Sequence, residues 1–378
     1  MLFDYETLKI IWWLLVGALL IGFSIMDGHD MGVCSLLPFV GKDDEERRVI
    51  INTIGPHWEG NQVWFITGGG AIFAAWPLIY SAAFSGFYIA MLAVLWTLFL
   101  RPVAFEYRSK IPSTTWRNVW DIILFIASGV APLIFGVAFG NLLQGVPFYL
   151  DTDLRVFYTG SFFALLNPFA LMCGLLSLSM IIFHGANYLI IRTEGALQKR
   201  AVTTSIICGI VVIILFACDG YFVSQMNGFI ATNLDPNGPS NPLLKHVDIV
   251  KGAWLLNYKL YPITILFPVL GFLGAILGIF FANKIRGGLA FICSSISMTG
   301  IIFTVGSAMF PFLMPSISSP TSSLTLWDCT SSHHTLNIML VVALIFTPIV
   351  LLYTSWAYRV MRGKITTKHI RDNSSNLY

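Results

Sequence analysis

Long apolar runs recur from one end of this chain to the other, and they constrain its fold before any motif does. At roughly 1.5 Å per residue, a run of about 20 residues crosses a bilayer as a helix. Nine such segments are legible, at 8–38, 49–75, 78–100, 119–141, 161–190, 202–224, 261–282, 288–311 and 334–360. The 378-residue chain is 56% hydrophobic and only 11% charged, where a soluble domain carries roughly a quarter charged residues. The runs are continuous and do not alternate with a period of two, which excludes a transmembrane β-barrel. The expected fold class is therefore all-α, a polytopic membrane protein with nine transmembrane helices. Two four-helix bundles plus a peripheral last helix fit that number, although no internal sequence repeat is visible. The first, second, fifth and ninth segments are longer than a bilayer needs and should tilt or project into water.

Basic residues fix the orientation. Arg101, Arg108, Lys110 and Arg117 crowd the third connection; Arg192, Lys199 and Arg200 the fifth; Lys284 and Arg286 the seventh. The tail holds Arg359, Arg362, Lys364, Lys368 and Arg371, whereas the fourth connection has Arg155 alone and the eighth, 312–333, has neither Lys nor Arg. Odd connections are thus cytoplasmic, with the N-terminus out and the C-terminus in. No linker divides the chain, so 1–362 reads as a single transmembrane helical domain and 363–378 as a polar cytoplasmic tail. The first residues lack the basic region and small-residue cleavage site of a secretory signal, so the first segment is expected to stay as a helix. A net charge of +3 with no basic cluster among aromatics offers nothing to a nucleic acid. The lipid bilayer is the first partner the composition implies. Five of the six cysteines fall in apolar segments, and without a Cys-x-x-Cys they read as small buried hydrophobes.

Polar groups inside such segments are costly and generally functional. Asp27 and Asp30 lie in the first segment; His57, Glu59, Asn61 and Gln62 lie in the second. Counting about 12 residues from the first cytoplasmic connection puts Asp27 and Glu59 at a similar depth, roughly 18 Å in. Asp27 and Asp30 share a helix face. His57, Asn61 and Trp64 form an i, i+4, i+7 stripe, while Glu59 is turned about 200° from His57 and serves another face. One reading is a hydrated path carrying protons inward from the cytoplasm, because burial brings carboxylate protonation within reach of neutral pH. The other is a lock, with the same acids paired to Arg or backbone donors. His57 and His184 could instead be haem ligands, but one histidine each in spans two and five lacks the repeated pairing of a multi-haem cytochrome; polar histidines with satisfied partners are preferred. Arg101-Pro102 ends span three and Asp121 begins span four, so an Arg101–Asp121 contact at the cytoplasmic rim is expected beside an anchoring role. Most tryptophans lie near span ends, while Trp58 and Trp64 lie further inside. The run at 68–70, Gly-Gly-Gly, allows close helix approach. No P-loop, zincin or nucleophile-elbow motif occurs.

These residues resemble subunit II of the bacterial cytochrome bd-type quinol oxidases, essentially end to end. The resemblance is carried by Ile-Trp-Trp-Leu-Leu-Val-Gly near the start, Asp-Gly-His-Asp-Met-Gly at 27–32 and Pro-His-Trp-Glu-Gly-Asn-Gln-Val-Trp at 56–64. It continues in Ala-Ala-Phe-Ser-Gly-Phe-Tyr at 82–88, Phe-Gly-Asn-Leu-Leu-Gln-Gly-Val-Pro-Phe at 139–148, Phe-Pro-Phe-Leu-Met-Pro-Ser at 310–316 and Leu-Thr-Leu-Trp-Asp-Cys-Thr-Ser-Ser at 324–332. The stretch 236–243 resembles the appB-type branch more than the commonest form. The resemblance implies a terminal oxidase of the bacterial inner membrane that passes electrons from quinol to O2, forming water and a proton gradient. It implies b-type and d-type haems ligated by a partner, subunit I, with a small third subunit often present and a quinone in some members. It further implies a cytoplasmic proton route through Asp27, Asp30 and Glu59, with His57 beside it, and charged cytoplasmic groups at Arg101 and Asp121. O2 access or a subunit interface falls near Trp58 and Trp64. Glu59 stands where relatives commonly carry Asp, and His29 and His184 where an aromatic and an amide are expected. The rival reading is an ion-coupled secondary transporter, in which Asp27 and Glu59 would bind the coupling ion; the broken helices of inverted repeats, its usual sign, are not visible.

Overall fold

The structure, a computed structural model, describes residues 3–372 and 378. Residues 1–2 of the expected domain and 373–377 of the expected tail lie outside the described residues. Of the described residues, 75% are helical. Helix α1, Tyr5–Val40, starts at an Asp4 cap whose carboxylate accepts from the Thr7 amide at 3.1 Å. It is followed by α2, Asp44–Ile54, then α3, Trp58–Ala75, and α4, Pro77–Gly86. Next come α5, Tyr88–Tyr107, and α6, Thr114–Gln144, then α7, Pro168–Arg192, and α8, Gly195–Gln225. The short α9, Leu256–Leu260, precedes α10, Leu266–Asn283, and α11, Gly287–Met309. The long α12, His333–Val360, and the short α13, Thr367–Asp372, complete the helices. Eight of the described helices are long and apolar enough to cross a membrane, and up to nine spans result if the bent pair α3–α4 counts as one.

The second and third expected spans need correction. The segment 49–75 is two helices, separated at residues 55–57, where Pro56 brings no amide hydrogen to continue the ladder. The segment 78–100 is divided too, at Phe87 (φ −96°, ψ 25°), where α4 ends and α5 begins. Trp76 precedes Pro77 and leaves the helical region at φ −131°, ψ 69°, so α4 bends from α3 by 120°. The third span is consequently α5, which runs on through Pro102 to Tyr107 and leaves Arg101 within the helix instead of ending it.

Helices α7, α8, α10 and α11 pack on one another, while α1 packs against α3 and α6, and α5 against α6. The two groups meet where α7 packs on α1 and α6; α12 touches only α1 and α3 to any extent. The α1–α7 crossing is close because glycines face each other. A Cβ on Gly185 would stand 2.5 Å from the Gly32 carbonyl carbon, so any larger residue would force the helices apart. The connections sort to two ends. Odd ones meet through ion pairs, Arg108–Asp44 at 3.0 Å, Arg200–Glu46 at 2.5 Å and Arg371–Glu45 at 2.7 Å. Even ones carry three antiparallel hairpins: β1 (Phe148–Leu150) with β2 (Val156–Tyr158), β3 (Asn227–Thr232) with β4 (His246–Lys251), and β5 (Phe312–Met314) with β6 (Leu324–Thr325). Lys9 ties that end to α1, donating to the carbonyls of Trp327 at 2.7 Å and Pro236 at 2.9 Å.

Candidate functional site

Asp27, Asp30, His57, Asn61 and Glu59 separate into two buried groups and one exposed residue. In the first group, the Arg101 guanidinium of α5 grips the Asp27 carboxylate of α1 with two parallel bonds, 2.8 and 3.0 Å, and both side chains are fully buried. Such a fork supplies a charge partner and fixed geometry together. The expected Arg101–Asp121 contact is therefore not made. Asp121 pairs instead with Arg108, at 2.5 and 3.1 Å, and with Arg47 at 2.9 Å. Arg108 also reaches Asp44 at 3.0 Å, and Arg117 reaches it at 2.7 Å. The reason is the length of α5: two turns separate Arg101 from Arg108, and only the later residue reaches the rim.

The second group surrounds Asp30. Its Oδ2 accepts from the Asn61 amide at 2.7 Å, and the same amide donates to the Tyr358 hydroxyl of α12 at 2.7 Å. Its Oδ1 is buried and accepts no hydrogen bond among the described residues, yet His29 Nε2 stands 3.2 Å away and His57 Nδ1 3.7 Å away. His57 stacks on Tyr358 with ring centroids 4.4 Å apart, and its Nε2 lies 2.9 Å from the Tyr188 hydroxyl of α7. The α2–α3 break is what places His57 here. It turns the imidazole inward at the start of α3, with Asn61 one turn later on the same face. Glu59, on the opposite face, is exposed and joins neither group. The structure thus brings Asp30 and His57 together and leaves Asp27 and Glu59 apart from them.

The tryptophans hold this arrangement in place. Trp58 is buried and stacks on Phe105, with centroids 4.9 Å apart and planes 19° apart. Trp64 lies over Gly22, where a Cβ would come within 2.6 Å of its ring. Among the described residues the triple glycine at 68–70 makes no close crossing: a Cβ on Gly69 or Gly70 would meet nothing within 4 Å. Sequence reasoning missed Tyr188, Tyr358, Arg108 and Asp44. Tyr358 lies about 300 residues from its partners in an interfacial Trp-Ala-Tyr-Arg stretch, and no local pattern singles it out.

The histidines do not fit a haem. His184 uses both ring nitrogens, Nε2 donating to the Ile25 carbonyl at 3.1 Å and Nδ1 meeting Ser294 Oγ at 2.7 Å. His29 Nδ1 donates to the same carbonyl at 3.0 Å, and its ring packs 4.4 Å from that of Tyr188, leaving no room for a macrocycle. An apolar cavity of about 560 Å³, among Phe23, Phe135, Phe216 and Phe272, has no histidine in its wall.

Fold and site together define a polytopic membrane protein organised around a buried acid–histidine cluster. Residues 8–361 match the family described as cytochrome bd terminal oxidase subunit II. The cytochrome bd-I ubiquinol oxidase subunit 2 of Escherichia coli strain K12 is 53% identical over 377 residues, covering 99% of this chain and 100% of that protein. The probable cytochrome oxidase subunit 2 of Haemophilus influenzae is 52% identical over 376 residues, with the same coverage. A solved bd oxidase from Geobacillus thermodenitrificans shares the fold, with a TM-score of 0.64 at 14% identity over 94% of this chain and 98% of that one. The chain belongs to the cytochrome bd terminal oxidase subunit II family. Nothing among these relatives supports the transporter alternative.

Proposed function

We propose that this chain supports a haem-bearing subunit I in the inner membrane of a bacterium and delivers cytoplasmic protons to it through Asp30 and His57. The complex oxidises quinol, reduces O2 to water and leaves a proton gradient; haem b and haem d belong to the partner, and the chemistry of this chain is accessory. The observation carrying the proposal is Asp30 Oδ1, buried, without a donor among the described residues, and facing two imidazole nitrogens. A carboxylate oxygen so placed can take a proton and share it with either ring. Glu59, exposed on the opposite face of α3, is the exit toward the partner on this reading. The open space at Gly69 and Gly70 on the same helix supports that face as the interface, with O2 access beside Trp64. For Asp27 the Arg101 fork favours the lock, so Asp27 enters the path as the fixed charge beside it.

The gathering of the basic odd connections at one end supports an N-terminus out and a C-terminus in. The helix contacts support two four-helix bundles, α1, α3, α5, α6 and α7, α8, α10, α11, with α12 peripheral. The apolar cavity suits the tail of a quinone, and a small third subunit joins the complex. The test replaces Glu59 by Gln and Asp30 by Asn in the assembled oxidase and measures proton-coupled turnover. Both variants should fall well below the parent; unchanged turnover in both would remove the path.

A further inference from the structure

The geometry points to a divalent-cation site of the zinc type formed by His29, Asp30 and His57, with the Tyr358 hydroxyl as fourth ligand. Among the described residues, these three offer ligand atoms that all lie within 4.8 Å of one another. The tautomers follow from the outer bonds. His29 Nδ1 carries a hydrogen, since it donates to the Ile25 carbonyl at 3.0 Å, so Nε2 presents a lone pair. Tyr188 donates its hydroxyl hydrogen to the Thr53 carbonyl at 3.2 Å, so His57 Nε2 donates to Tyr188 and Nδ1 presents a lone pair. Asp30 Oδ1 has no hydrogen-bond donor among the described residues. Three lone pairs converge; the Asn61 amide, 3.3 Å from His57 Nδ1, gives its two hydrogens to the shorter bonds at Asp30 Oδ2 and Tyr358 Oη, both 2.7 Å, and the single hydrogen of the Tyr358 hydroxyl, 3.4 Å from each imidazole nitrogen, can serve only one lone pair. A cation is what such a convergence accommodates.

The spacing selects the kind of cation. Bonds of about 2.0–2.1 Å in a tetrahedron put neighbouring ligand atoms roughly 3.3 Å apart. The separations here are 3.2 Å for His29–Asp30, 3.7 Å for His57–Asp30 and 3.4 Å from Tyr358 to each imidazole. The outer shell also matches. Each imidazole donates its remaining N–H to an oxygen, and the Asn61 amide holds both Asp30 Oδ2 and Tyr358 Oη at 2.7 Å. Metal-binding histidines are held in this manner. His57, with 7% of its side chain exposed at the α2–α3 break, is the most accessible of the three and marks the way in.

Zinc retention tests the site in the purified complex with its partner subunit. The complex is equilibrated with zinc ions against a competing chelator; metal per complex is counted, and the X-ray absorption of bound zinc gives its ligands. The parent should retain one zinc per copy of this chain, with two imidazoles in a shell at about 2.0 Å. His29→Phe and Asp30→Asn should each weaken retention at least tenfold with haem absorption unchanged, and His246→Ala, at an exposed histidine of the even end, should leave it intact. No retained zinc in the parent, a shell lacking imidazole, or loss in His246→Ala would overturn the site. The X-ray absorption of the parent decides even if the cluster variants fail to assemble. Bound zinc would also occupy the lone pairs a proton uses and slow turnover. That consequence alone rests on the path proposed above, whereas retention reads the site whether or not the path exists.

Discussion

Asp27 and Asp30 are the same residue type, one turn apart on one helix, both fully buried, and their surroundings assign them opposite work. Asp27 has a cation locked onto both oxygens; Asp30 has an amide on one oxygen and two imidazoles facing the other. A buried charge that is fully paired holds helices in register, and removing one member strands the other. A buried acid with an open oxygen among neutral rings can change its protonation without stranding anything. Burial alone does not distinguish a lock from a carrier; the partner does.

The largest effect should come from breaking the lock. Arg101→Met leaves Asp27 buried and unpaired at a cost of about 3–5 kcal/mol, read as a lower thermal midpoint and loss of haem from the complex. Pairing it with Asp27→Leu should recover most of that loss, because two apolar side chains strand no charge. Gly185→Ala at the α1–α7 crossing comes next, at about 1–3 kcal/mol for overpacking, and should disturb the Asp30 side more than the Arg101 side. Asp30→Asn keeps an acceptor for Asn61 and should change stability by no more than about 1 kcal/mol, while turnover falls about 100-fold. A large stability loss in Asp30→Asn would erase the contrast with Asp27. The smallest effect is at the rim, where Arg371 bonds the exposed Glu45 and holds its carboxyl below its ordinary value. The pair contributes above the unfolded carboxylate range and is lost as pH falls through the folded value. Glu45→Gln should therefore leave the midpoint at neutral pH within error.

Much of this was legible beforehand because long apolar runs leave a chain few options. Seven of the nine segments correspond to single helices, from α1 through α12, with edges shifted by up to seven residues. The two failures share a cause. Pro56 and the junction at Phe87 interrupt a helix without making the sequence polar, so the hydropathy that finds a span is blind to the break. At the site, the separation of Glu59 from His57 followed from helical spacing, and the structure keeps it. The choice between Arg101 and Arg108 as partner of Asp121 did not follow, since it depended on how far α5 runs past Pro102. Tyr188 and Tyr358 could not be found from sequence, because each meets the cluster only through the packing of α7 and α12 on α1 and α3.

The central claim is that Asp30 passes protons on toward the partner, and proton uptake measured directly during O2 reduction tests it best. In assembled Asp30→Asn oxidase with its full haem absorption, a pH indicator followed after oxygen is added to the reduced complex should show uptake slowed about 100-fold. Uptake at the rate of the parent would contradict the account, leaving Asp30, like Asp27, a group that only holds the helices together.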